Sequence, residues 1–134
     1  MSDRIEKALE NHKKGMNCCQ AVACAFSDAV GVDEEVLFKA GEGFGAGMGG
    51  MECTCGAISG AILLAGMKNS SGDAASPTKG KTYQLSKAIV KDFEEKNGSV
   101  ICKVLKGVET KKVLRSCDGC IEDAARIAEK VLGL

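Results

Sequence analysis

Tryptophan is absent from this 134-residue chain, tyrosine occurs once and phenylalanine four times. So few aromatic faces leave little for nucleobases to stack on. Excess charge is missing too, because 18 basic side chains balance 18 acidic ones, whereas nucleic-acid binding normally needs a basic face. Nucleic acid is therefore not an expected partner. The opening MSDRIEKALENHKK is charged and lacks the apolar stretch of a signal peptide. The longest apolar run, Ala57–Met67, is interrupted by Ser59, Gly60 and Gly66, and a bilayer span needs about 20 apolar residues. No membrane span is expected, and the cytoplasm is the expected location. No alternating apolar–polar run is long enough to promise a strand.

What is present is an apolar fraction of 45% and eight cysteines. The length fits a single domain over residues 1–134, which can bury roughly two thirds of its unfolded surface. Such a domain does not need disulfide staples, and a reducing compartment disfavours them. Reactive thiols, metal ligation or reversible oxidation therefore explain the cysteines better.

Helical signals dominate the chain. An opening helix spans about Arg4 to Asn11. Asn17 can cap a helix running to about Val30, with Gly31 as its stop. Asp33 caps the next, which carries Val36, Leu37 and Ala40. The glycine stretch Gly41–Gly50 follows, and from about Thr54 the segment CGAISGAILLAGMKN reads as a buried helix. Ser76-Pro77 is a cap followed by proline, a pattern that opens a helix. That helix runs to Lys96 with Leu85, Ile89 and Phe93 on one face, and Asn97-Gly98 stops it. A short helix holds Val100 to Leu105, and Ser116 or Asp118 opens the last one. Connections are short except Gly41–Gly50 and Asn69–Ser76. The expected fold is all-α, a compact bundle of about six or seven helices, with a glycine-rich loop before the helix that follows Cys55.

The cysteines fall into four groups: Cys18, Cys19 and Cys24; Cys53 and Cys55; Cys102; and Cys117 with Cys120. Each group lies at or near an expected helix start, where amides and dipole favour a thiolate. Each also leads an inward stripe, such as Cys55, Ile58, Ile62 and Ala65. Four such stripes bring sulfurs together inside a bundle. The alternative is that cysteine serves only as a small core residue. SCDGC is a C-x-x-C at a helix start, a spacing that suits a redox pair or two ligands of one metal. There is no second C-x-x-C for a zinc ribbon, and no C-x-x-C-H for covalent haem. Gly45–Gly50 matches G-x-G-x-x-G, but helix rather than strand precedes it, so a dinucleotide fold is discounted. Gly45, Gly47, Gly49 and Gly56 can instead let backbone approach a bound group closely. Gly56 and Gly60 suit close helix packing, and such small-residue stripes permit a homodimer. His12, the only histidine, sits on a polar helix end and is expected to be solvated.

At Cys55-Gly56-Ala57-Ile58-Ser59-Gly60 the chain resembles the C_GCAxxG_C_C family of redox-active proteins, named for four cysteines and this motif. Asn17-Cys18 with Gln20-Ala21-Val22 is similar to the family's first cysteine segment, and GFGAGMGG to its glycine loop. Lys81-Thr82-Tyr83 resembles the segment before its long helix. Gly98-Ser99 with Cys102 resembles the third cysteine segment, and Cys117 with Glu122-Asp123-Ala124-Ala125 the fourth. The resemblance implies a redox site built on Cys18, Cys55, Cys102 and Cys117, acting with an unidentified redox partner protein. A related domain in split-Soret cytochromes implies an iron–sulfur cluster on these four sulfurs. Cys19, Cys24, Cys53 and Cys120 are additions to the family pattern.

Three expectations follow. The four thiolates hold an iron–sulfur cluster, or pairs cycle between dithiol and disulfide with Cys120 as a resolving thiol for Cys117. Alternatively, the protein binds zinc or another soft metal at a site of four cysteines, without turnover. In the third case the thiols are inert and buried.

Overall fold

The computed structural model describes residues 2–134. Among them no strand occurs, and the chain forms eight α-helices, six of seven residues or more. We label them α1 (Asp3–Lys13), α2 (Cys18–Ala25), α3 (Ser27–Val30), α4 (Glu34–Gly41), α5 (Gly56–Asn69), α6 (Lys79–Asn97), α7 (Cys102–Lys106) and α8 (Cys117–Leu132). The all-α bundle expected from the helical periodicities is the observed architecture.

Cap chemistry accounts for three of the helix starts and four of the helix ends. Ser2 accepts from the Ile5 amide at the head of α1. Asn17 and Gln20 form a reciprocal capping box at α2. Ser116 accepts from the Gly119 amide at α8. Gly31, Gly98, Gly107 and Gly133 close α3, α6, α7 and α8 in the left-handed conformation.

Three expected boundaries differ. The helix from Asn17 to Val30 is broken at Phe26, whose φ of −110° and ψ of 13° fall outside the helix while its ring is fully buried. Burying that large ring outweighs one turn of regular helix. Ser76-Pro77 does not open α6, which starts at Lys79 after Thr78. Residues 70–78 form a turn of side-chain hydrogen bonds, among them Ser71 Oγ to the Asp73 carbonyl at 3.1 Å and the Ser71 amide to Thr78 Oγ1 at 3.1 Å. The connection between α7 and α8, residues 107–116, is longer than expected and mostly exposed.

Helix α5 is the central element, burying Gly56, Ala57, Ile58, Gly60, Ala61, Leu64 and Ala65 against its neighbours. It packs on α2, α6 and α8, while α1 closes over α2 and α8. The core includes Phe26, Ile58, Leu64, Ile89, Phe93 and Ile121, all with no exposed surface. Each such side chain contributes about 1.5–3 kcal/mol by burial. Gly60 explains the close approach of α5 to α2, because a Cβ there would stand 2.7 Å from the Cys19 carbonyl oxygen and 3.1 Å from Val22 Cβ. Glycine thus sets the helix spacing. Outside the helices, Thr54 and Ile101 form an isolated antiparallel bridge. It ties the segment entering α5 to the segment entering α7.

Gly60→Ala should destabilise the fold by about 1–3 kcal/mol through overpacking of α2 on α5. Urea denaturation checks this, and an unchanged midpoint would contradict the close approach.

Candidate functional site

Four helix starts converge on one cavity. Cys18, Cys102 and Cys117 are the first residues of α2, α7 and α8, and Cys55 immediately precedes α5. The α2 start is held by the Asn17–Gln20 box at 2.8 and 3.0 Å. The α5 and α7 starts are held to each other through the bridge. The Cys55 amide donates to the Val100 carbonyl at 2.7 Å, and the Cys102 amide to the Cys53 carbonyl at 2.9 Å. The α8 start is fixed by Gly119 N–H to Ser116 Oγ at 3.0 Å and Cys120 N–H to the Ser116 carbonyl at 2.9 Å.

The cavity has a volume of about 190 Å³. Cys18, Cys55, Cys102, Cys117 and Cys120 all line it, together with Asn17, His12, Lys106 and Arg115. Chain segments as far apart as residues 18 and 120 thus deliver sulfur to one space. The other three cysteines lie elsewhere. Cys19 is buried against Gly41 and Gly60. Cys24 is buried with its thiol 3.6 Å from the Glu34 carbonyl, and Cys53 is exposed. All eight cysteines are free thiols. Among the described residues no three cysteine, histidine or acidic side chains are grouped as a ready site for a single metal ion.

The glycines divide. Gly56 lines the cavity at the start of α5. Gly47 has φ +57°, and a Cβ there would stand 2.6 Å from Cys102 Cβ, so the loop packs directly on that cysteine. Gly45 abuts the Asn17 side chain, and Gly49 faces open space. From this loop the residue that lines the cavity is Ala46, held in the left-handed region at φ 50°.

The sulfurs differ in their preferred protonation. The Cys55 thiol is brought down to about 7, chiefly by a hydrogen bond from Cys120. Burial opposes that shift, while the amides of Ala57 and Ile58 and the charge of Lys106 assist it. Cys120 moves the opposite way, since it donates to Cys55 and is desolvated. Cys18 is pushed up to about 12 by burial and by the neighbouring Cys55 and Cys117. Burial also raises Cys102. Among the extra thiols, Cys19 is pushed up to about 12 and Cys24 to about 11, both mainly by burial.

Three polar groups at the cavity were not anticipated as site residues. His12 is not freely solvated. The packing of α1 against α8 sets its Nδ1 2.7 Å from Asp118 Oδ1 at the cavity mouth. Lys106 stands four residues after Cys102, one helical turn on. Its ammonium interacts first with the Cys117 sulfur, which raises its pKa. Arg115 is clamped by the fully buried Asp123, with Nε to Oδ2 at 3.0 Å and a second nitrogen to Oδ1 at 3.2 Å. Lys96 and Asn97 complete the carboxylate's partners at 2.8 and 3.1 Å. Gly119 makes room for this clamp, because a Cβ would stand 2.4 Å from Arg115 Nε. The Arg115 carbonyl in turn lies 3.9 Å from the Cys120 sulfur, an alternative acceptor for its single proton. The C-x-x-C glycine and the acidic residue after it are therefore parts of one device that sets the α8 start.

A family model described as "Putative redox-active protein (C_GCAxxG_C_C)" matches residues 16–131. The chain belongs to this family. No curated protein and no solved structure matches it. The four cysteines to which the sequence resemblance points, Cys18, Cys55, Cys102 and Cys117, line the cavity, and Cys120 is a fifth. Among the described residues no helix is long and apolar enough to cross a membrane.

Asp123→Ala should cost about 3 kcal/mol, near the low end for breaking a buried ion pair because Arg115 and Lys96 are partly exposed. Burial alone would raise the Asp123 pKa, but hydrogen bonds from Arg115, Lys96 and Asn97 outweigh it and lower it. A lowered carboxyl pKa contributes stability above its unfolded value of about 3.9 and loses it as pH falls through the folded value. Denaturation midpoints from pH 7 down to pH 3 should therefore fall less steeply in the variant than in the wild type.

Proposed function

We propose that the protein is a redox protein that carries single electrons on an iron–sulfur cluster held by Cys18, Cys55, Cys102 and Cys117. The observation that carries the reading is the cavity itself: space surrounded by sulfur, at the starts of four helices. The donor set is all thiol, the soft ligand type that iron–sulfur clusters take. A bound cluster supplies one-electron transfer, with a potential tuned by charge and by hydrogen bonds to sulfur. The chain's own contribution is placement. The capping box fixes Cys18, the Thr54–Ile101 bridge fixes Cys55 and Cys102, and the Asp123–Arg115 clamp with Ser116 fixes Cys117. Backbone amides at the helix starts supply partial positive charge toward the sulfurs, and Ala46, Gly56 and Leu105 wall the cavity with nonpolar atoms. The electron donor or acceptor is proposed to be a partner protein.

A second reading draws on Cys55 and Cys120. A thiolate-prone sulfur beside a protonated one is the arrangement of an attacking and a resolving thiol. Cys55 would attack a substrate disulfide, breaking its S–S bond and releasing one thiolate. That thiolate takes the Cys120 proton, and Cys120 then attacks the Cys55 sulfur and releases the second half of the substrate as a thiolate. Two electrons pass from the protein pair to the substrate. The partner for Cys120 in this reading is Cys55 rather than its sequence neighbour Cys117.

Anaerobic purification followed by iron, sulfide and zinc analysis and an absorption spectrum tests the readings. Iron with acid-labile sulfide and visible absorption is expected. Zinc without colour would replace the cluster with a four-cysteine metal site. Metal-free protein that loses two titratable thiols on oxidation, through a Cys55–Cys120 bond, would favour the second reading. Cys55→Ser should remove the iron while circular dichroism stays near wild type. Because ligation must displace protons from thiols that burial holds protonated, Cys18 at about 12 among them, metal uptake should be stronger at pH 8 than at pH 6. Equal uptake at both would count against thiolate ligation.

A further inference from the structure

The charges around the cavity are unequally compensated. Arg115 is paired with the buried Asp123, which it shares with Lys96, and has Glu122 at 3.9 Å, while His12 stands against Asp118. Lys106 has no carboxylate within ion-pair distance among the described residues, and no acidic side chain lines the cavity. Nearby Lys103, by contrast, is held by both Glu52 and Glu109 at 2.8 and 2.9 Å. One uncompensated ammonium therefore faces a space whose other polar groups are mostly thiols.

We propose that Lys106 is the counter-charge of the cysteine cavity, a specificity-determining residue that makes the cavity take a negatively charged occupant. The proposal deepens the cluster reading, because four thiolates with a bound iron–sulfur group carry net negative charge. Geometry supports it in two ways. Helix α7 places Lys106 one turn beyond Cys102, so both line the cavity. Gly107 then ends the helix in the left-handed conformation, with a Cβ excluded by the Lys112 backbone at 2.5 Å, which stops the chain where the lysine faces the sulfurs. The ammonium's charge acts first on Cys117 and also reaches Cys18, Cys55 and Cys102. A cation so placed stabilises whichever state of the site is more negative, which for a one-electron carrier is the reduced state.

The test uses two alkylating probes on the reduced, metal-free full chain at low salt: anionic iodoacetate and neutral iodoacetamide. Both react with the same thiolates, so the ratio of their rates cancels thiol acidity and reports local potential. Peptide mapping reads the ratio at the cavity cysteines, with exposed Cys53 as internal reference. Lys106→Met should lower the cavity ratio by about threefold or more, and the difference should shrink as salt screens it. Lys106→Arg should keep the wild-type ratio, as should Lys111→Met, a surface lysine away from the cavity. A wild-type ratio in Lys106→Met protein with native circular dichroism would overturn the proposal. In iron-loaded protein the same substitution should lower the reduction midpoint, and an unmoved midpoint would remove the lysine's influence on the redox state. Wild-type protein that takes up no iron would defeat the cluster reading alone, since the alkylation ratio still judges Lys106.

Discussion

Convergence of helix N-termini is the constraint on which the site depends. Each start presents unpaired amides and the positive end of a dipole. Bringing α2, α5 and α8 together by these ends sets like partial charges against one another. Such an arrangement is stable when something negative stands among them, and here the residues at the meeting point are cysteines, which can ionise. The same logic explains the absence of acidic side chains from the cavity wall. A carboxylate there would compete with thiolate for the amides and the ammonium.

Three local devices around the cavity hold the four starts in register. The Asn17–Gln20 capping box settles α2, and its two side chains also donate to the Glu42 and Phe38 carbonyls. The Thr54–Ile101 bridge joins α5 to α7, so Cys55 and Cys102 move as a unit. The Asp123 clamp anchors Arg115 and, through its carbonyl and the neighbouring Ser116 cap, the first turn of α8. The buried carboxylate is tolerable because its hydrogen-bond partners come from Arg115, Lys96 and Asn97. The glycine loop completes the enclosure at a cost. Ala46, Met48 and Met51 all carry positive φ without being glycine. Each such residue stores on the order of 1 kcal/mol, and the strain lies beside the sulfur cavity.

Within this frame the five cavity sulfurs are not equivalent. Cys55 has amides, a neighbouring thiol and a lysine acting in its favour, whereas Cys18 and Cys102 are held protonated by burial. Whatever binds must displace those protons. In both proposed readings this gradient makes Cys55 the first point of attachment. It also separates these sulfurs from Cys19 and Cys24, which are buried away from the cavity and behave as packing residues.

Local signals determined much of this protein. Caps, glycine stops and 3.6-residue periodicity marked the all-α bundle and placed cysteines at helix starts, because those effects act within a few residues. The family resemblance picked out Cys18, Cys55, Cys102 and Cys117 in the same way, from contiguous motifs. The break at Phe26 was not legible, since helix propensity there is ordinary and only the core decides where that ring goes. Nor was the Thr54–Ile101 bridge, which joins segments 47 residues apart in sequence without any alternating pattern. Tertiary structure alone decided that Cys120 faces Cys55, that His12 meets Asp118, and that Asp123 is an anchor rather than one more acidic residue on a helix. It also left Lys106 as the cavity's uncompensated cation. The physical reason is that charge compensation and thiol pairing depend on distance in space, and sequence records only distance along the chain.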